Sequence, residues 1–228
     1  MPMNILVVAA HPDDEVLGCG GTMARLSSEG HNVHILILGE GVTSRHADPS
    51  DADQKELDAL HKQAEEVGAS LGAKEVSLAK LPDNRFDTVP LLDIIKIIEE
   101  HVARIKPEVV YVQHEGDLNI DHQCTFRAVL TATRPMEGSP VKQVLSYRVA
   151  SSTEWAFGQF EPSFQPTVFS DISGTLDKKI AAMEVYEGEA RPFPHPRSAK
   201  ALRAEAEYFG SIAGLSAAEA FILIRQIQ

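Results

Sequence analysis

An imidazole and three carboxylates stand within five residues at His11-Pro12-Asp13-Asp14-Glu15, directly after the apolar run Ile5 to Ala10. Pro12 keeps His11 out of the helical region and therefore at the strand end, while Asp13 and Asp14 occupy the turn that follows. Carboxylates crowded into a crevice repel one another and are pushed toward protonation unless a cation sits among them, so a metal is the simplest reason for this concentration of charge. The same residues also fit a plainer role, with Asp13 or Asp14 capping the next helix and His11 a satisfied core histidine.

A second polar cluster, Gln113-His114-Glu115-Gly116-Asp117-Leu118-Asn119-Ile120-Asp121-His122, follows the apolar run Glu108 to Val112 in the same way. Two histidines and a carboxylate drawn from two strand-end loops make a known catalytic zinc set that leaves one position for water. The plainer reading makes Asp121 the N-cap of the next helix and leaves His114 or His122 exposed.

The elements that must position these clusters alternate. Apolar runs at Ile5 to Ala10, Val33 to Leu38 and Glu108 to Val112, with a weaker one at Glu75 to Leu78, read as strands. Between them, Glu15 to Glu29, Gln54 to Leu71 and Val89 to Arg104 carry apolar residues at helical spacing. Continuous apolar strands alternating with helices predict an α/β protein with a mostly parallel sheet covered on both faces, and ligands gather at the carboxyl ends of such strands. Helices are expected from about Asp121 to Thr133, Leu176 to Gly188 and Ser198 to Ile212, and strands near Gln143 to Val149 and Gln165 to Ser170. A further apolar run spans Phe221 to Ile227. No linker or repeat divides the chain, so residues 1–228 are expected to form a single domain. The glycines of Gly18-Cys19-Gly20-Gly21 fall inside the first helix and lack the G-x-G-x-x-G spacing of a dinucleotide site; they are expected to let that helix pack closely on the sheet.

Acidic residues exceed basic ones by 33 to 21, giving a formal charge of −12 without any Lys/Arg-rich run, which argues against nucleic acid or an anionic membrane as partner. The two cysteines, Cys19 and Cys124, make no disulfide framework, and no apolar run reaches the roughly 18 residues of a membrane span. With no export signal at Met1-Pro2-Met3-Asn4, a cytoplasmic location is expected.

The chain resembles the PIG-L/LmbE-like N-acetylglucosamine deacetylases. The resemblance is carried by His-Pro-Asp-Asp-Glu at His11 to Glu15 and by Asn-x-Asp-His at Asn119 to His122. It extends to Leu81-Pro82-Asp83-Asn84-Arg85-Phe86-Asp87 and Phe193-Pro194-His195-Pro196-Arg197-Ser198. It implies a Rossmann-like fold, one zinc ion bound by the positions matching His11, Asp14 and His122, and Asp13 as general base in removal of an N-acetyl group from a small amino-sugar substrate. A His/His/Asp set also accepts iron or cobalt. Some relatives carry a histidine acid three residues before the last ligand, where this chain has Asn119. The proton for the leaving amine then comes from Asp13 or, second, from His195, while Asn119 is left to donate a hydrogen bond to the oxyanion.

Arg45, in the loop after the second strand, offers a forked donor to a phosphate or sugar hydroxyl. Asp83 and Arg85, after the third strand, are further candidate substrate contacts, and Arg45, Asp83 and Arg85 each read equally well as a solvated loop charge. Arg197 is a candidate in the Pro-flanked stretch around His195, whose plainer reading is a surface turn. The resemblance allows a homo-oligomer, and no heptad pattern selects one. Two other readings stay open: a metal-dependent amidase for another acylated amine, and a sugar-binding domain without catalysis.

Overall fold

The strand runs are apolar throughout because both faces of the sheet are covered. A computed structural model describes residues 2–45 and 53–228, with Arg45 described by its backbone alone. The chain runs through β1 (Asn4–Ala9), α1 (Asp14–Ser28), β2 (Asn32–Gly39), α2 (Gln54–Ser70), β3 (Glu75–Leu81), α3 (Leu91–Ile105) and β4 (Val109–Gln113). It continues through α4 (Ile120–Ala132), β5 (Gln143–Tyr147), β6 (Val168–Asp171), α5 (Leu176–Val185), α6 (Ala199–Ala213) and β7 (Ala218–Gln226). The strands form one sheet in the order β3-β2-β1-β4-β5-β7-β6.

From β3 to β5 the pairs are parallel, whereas β7 runs antiparallel to both β5 and β6. The α/β class and mostly parallel sheet are those expected. Alternate residues of β1 face opposite cores: Ile5, Val7 and Ala9 pack with α1, α2, α5 and α6, and Leu6, Val8 and Ala10 pack with α3 and α4. In α3 the spacing of Ile94, Ile98, Val102 and Ile105 puts one buried stripe against the sheet.

Among the boundaries that differ from the sequence pattern, two concern the extent of the sheet. β3 continues to Leu81 through an exposed Lys80, since this edge strand is only half covered and its apolar signal is correspondingly weak. The run at Phe221 to Ile227 belongs to β7, which starts earlier, at Ala218, ends at Gln226 and is inserted between β5 and β6.

The glycines of α1 do allow close packing. A Cβ on Gly18 would stand 2.1 Å from Tyr147 Cδ2, so the helix lies directly against β5. Farther along, a buried ion pair grips α1 from the C-terminal half. Lys179 Nζ donates to Glu219 Oε1 at 2.6 Å and to Leu17 O at 2.8 Å, and Glu219 accepts from the backbone N–H groups of Gly21 and Thr22 at 3.0 and 2.7 Å. Removing one partner of a buried pair strands the other, so Glu219→Ala is expected to lower stability by about 3–5 kcal/mol in urea unfolding. A loss under about 1 kcal/mol would show the pair to be incidental.

Candidate active site

The strand order reverses between β1 and β4, since β2 lies on one side of β1 and β4 on the other. A crevice opens at such a switch point, and the loops after β1 and β4 meet over it. His11, Asp14 and His122 converge there, offering one ligand atom each, all within 4.8 Å of one another. His11 Nδ1 and His122 Nε2 both stand 3.3 Å from Asp14 Oδ2. Asp14 Oδ1 is buried without a hydrogen-bond partner among the described residues.

The charges point the same way. Burial raises Asp14, but His122 and His11 more than offset it and hold this carboxylate well below its ordinary range. Burial pulls His122 down, yet Asp14 and Asp117 carry it to about 9. The three groups form a cradle organised to hold positive charge, and their donor set, together with the orphaned Asp14 oxygen, fits a divalent cation of the zinc type.

Each histidine is aimed by a carboxylate behind it, as metal-binding imidazoles usually are. His11 Nε2 stands 2.9 Å from Asp121 Oδ2, whose other oxygen accepts from Phe86 N at 2.9 Å. A carboxylate can only accept, so Nε2 carries the proton and Nδ1 is left for the cradle. Asp121 is therefore not the helix cap considered above; Asn119 is, its Oδ1 accepting from Asp121 N at 2.8 Å. His122 Nδ1 lies 3.1 Å from Asp117 Oδ1, and Asp117 also accepts from Ser152 Oγ, from Thr153 Oγ1 at 2.5 Å and from Asn119 N at 2.9 Å. Gln113 Nε2 donates to Asp14 Oδ2 at 3.0 Å.

A second convergent set, His11, Asp83 and Asp121, is already spoken for by these donors and reads as support for the first. Asp117→Asn, which keeps the shape and removes the charge, is expected to weaken zinc binding about 10–100-fold. Competition against a zinc chelator measures it, and unchanged affinity would remove Asp117 from this role.

Asp13 stands at the N-cap of α1 with φ 110° and makes no capping bond through its side chain. Its Oδ2 accepts from Arg197 Nη1 at 2.5 Å, and the same nitrogen donates to Glu189 Oε2 at 2.7 Å. Burial pushes Asp13 well above the ordinary carboxylate range against the pull of Arg197. Glu15, next in the motif, is pushed by burial to about 7 and accepts from Tyr186. Asp13, His11 and His122 line a cavity of about 200 Å³ whose other walls include Asn84, Asn119, Ser151 and Arg197. Asn119 Nδ2 donates to Asn84 Oδ1 at 2.9 Å.

The remaining candidates scatter. Asp83 is buried at the cavity wall and already engaged by its neighbour there, accepting from Ser44 N at 3.1 Å and Ser44 Oγ at 2.5 Å. Arg85 is exposed and does not line the cavity. The side chain of Arg45 lies outside the described residues. His195 is half-buried and also absent from the cavity wall; its ring meets Trp155 edge-on at 5.6 Å, and its Nδ1 accepts from Arg197 N at 3.2 Å. Arg197, by contrast, reaches Asp13. Asp117, Asn84, Glu189, Ser151 and Tyr186 were not assigned roles from sequence; Asp117, inside the second polar cluster, and Asn84, inside the stretch Leu81 to Asp87, carried a local signal, and the other three did not.

Residues 6–133 match the PIG-L family, described as GlcNAc-PI de-N-acetylase. The chain is 25% identical over 190 residues to the uncharacterized deacetylase YaiS of Escherichia coli K12, covering 81% of this chain and 90% of that protein. It is also 25% identical over 203 residues to the 4-oxalmesaconate hydratase of Pseudomonas putida KT2440, covering 82% and 74% respectively. In fold it resembles the solved N,N'-diacetylchitobiose deacetylase of Pyrococcus horikoshii, with a TM-score of 0.78 at 19% identity over 98% of this chain and 84% of that one. The family match spans more than half of the 228 residues and contains the whole cradle, so this chain belongs to the PIG-L family of de-N-acetylases.

Proposed function

We propose that the chain is a zinc-dependent hydrolase that removes the N-acetyl group from an N-acetylglucosamine-type sugar or sugar conjugate. The observation that carries this reading is the Asp13 carboxylate held beside a three-ligand cradle in a polar cavity with room for about one sugar ring. His11, Asp14 and His122 hold the cation, which when bound supplies Lewis acidity and an acidified water.

Asp13 takes the proton from the attacking water. Arg197 clamps its Oδ2, which leaves Oδ1 as the oxygen to take that proton. Asn119 spends one Nδ2 hydrogen on Asn84, and its second is free to stabilise the oxyanion or a sugar hydroxyl. As the amine leaves, Asp13 returns its proton. The alternative acid, His195, stands off the cavity wall, which favours Asp13. Arg197 acts through Asp13, Asp83 lines the cavity beside His11, and Arg85 stands outside it.

The deciding experiment is acetate release from a panel of N-acetylated sugars by protein loaded with one zinc ion per chain. Release that stops on chelation supports the reading, and no release from any member overturns it. The similarity to the Pseudomonas putida hydratase favours a second reading, hydration of an unsaturated carboxylate by the same cation and base. An unsaturated acid in the same panel separates the two, and other N-acyl groups test the broader amidase reading.

A further inference from the structure

We infer that Glu15 and Tyr186 form a strap that holds the Asp13 backbone, and through it the Asp13 carboxylate, in its working orientation; the inference rests on the reading of Asp13 as the base. Asp13 has φ 110° and ψ −31°, a conformation that L residues rarely adopt and that persists only where the surroundings over-determine it. The surroundings do so here. Asp13 N donates to Glu15 Oε2 at 3.0 Å, and Glu15 Oε1 accepts from Tyr186 Oη at 2.7 Å. All three residues are buried, with 2%, 1% and 0% exposure for Asp13, Glu15 and Tyr186. The Glu15 carboxylate is thus folded back on the turn and takes no part in the cavity wall, which excludes it as a second base.

The strap is tied to the other hold on Asp13. Tyr186 O accepts from Glu189 N at 2.8 Å and from Ala190 N at 2.9 Å, so Tyr186 begins the turn that delivers Glu189 to Arg197. The segment from Tyr186 to Arg197 therefore grips Asp13 twice, at the backbone through Glu15 and at the carboxylate through Arg197. Glu15 and Tyr186 are positioning residues, since they touch Asp13 and not the reacting atoms.

Tyr186→Phe removes one oxygen and keeps the ring. It is expected to lower kcat about tenfold while KM stays within about twofold, because a misaimed base costs rate and not binding. Glu15→Ala is expected to lose more than about a hundredfold, and Glu15→Gln, which keeps an acceptor for Asp13 N–H, to fall between the two. Zinc content should remain one per chain in each. Hydrogen exchange of the zinc-loaded protein supplies a readout independent of activity: amides of residues 11–16 should exchange about tenfold faster in Tyr186→Phe, with the rest of α1 unchanged.

Wild-type exchange and kcat in Tyr186→Phe would overturn the strap. Zinc loss in proportion to activity would do so too, and so would faster exchange spread evenly over α1 and β1. If Glu15→Ala does not fold, Tyr186→Phe and Glu15→Gln decide. A wild-type protein that releases no acetate, yet whose 11–16 exchange responds to Tyr186→Phe, would refute the proposed function and leave the strap standing.

Discussion

Asp13→Asn is expected to lower kcat by about a thousandfold, within the roughly 10²–10⁴ that a positioned general base contributes, while the protein still binds one zinc ion per chain. The substitution is nearly isosteric. Asparagine keeps an oxygen to accept from Arg197, and Arg197 keeps Glu189 as a charged partner, so the loop should hold its shape. What disappears is the capacity to take a proton from water and return it to the amine. None of the cradle's three ligand atoms belongs to Asp13, which is why metal content and activity should separate. Acetate release and metal analysis on the same preparation check both halves. Activity within about tenfold of wild type would remove Asp13 from the base role.

His122→Ala is expected to abolish bound zinc and activity together. The cradle has three protein ligand atoms, and His122 brings the one that β4 and α4 position, seated between Asp14 and Asp117. Deleting it leaves two ligands and removes the neutralising partner of two buried carboxylates, so zinc affinity should fall by more than the roughly 10–100-fold that losing an outer partner costs. Chelation of the wild type should reproduce the loss of activity, and added zinc should restore the wild type but not the variant. A His122→Ala protein that still carries one zinc per chain at wild-type affinity would show that the ion sits elsewhere.

The family, the parallel core of the sheet and the cradle were legible because each rests on a local pattern. Apolar runs of strand length mark β1, β2 and β4, and His11-Pro12-Asp13-Asp14 and Asn119 to His122 each sit within one strand-end loop. The sheet brings those loops together by a rule of topology, since β1 and β4 are neighbours at the point where strand order reverses. The direction of β7 was not legible: an apolar run has the same pattern whichever way the strand runs, and only its pairing with β5 and β6 decides.

The same distinction divides the site. His11, Asp14, His122 and the charge around them are set by the sequence, because a few neighbouring residues contain the signal. The company each one keeps is tertiary. Asp121 reads locally as a helix cap and instead braces His11, 110 residues away. Arg197 reads as a substrate contact or part of a surface turn and instead clamps Asp13 across 184 residues, while Tyr186, an unremarkable residue after a helix, reaches Glu15 across 171. A hydrogen bond needs two atoms about 3 Å apart and carries no trace in the spacing of the chain, so the strand-end motifs name the chemical groups that are present and the packing of α5 and its following turn decides how Asp13 is held.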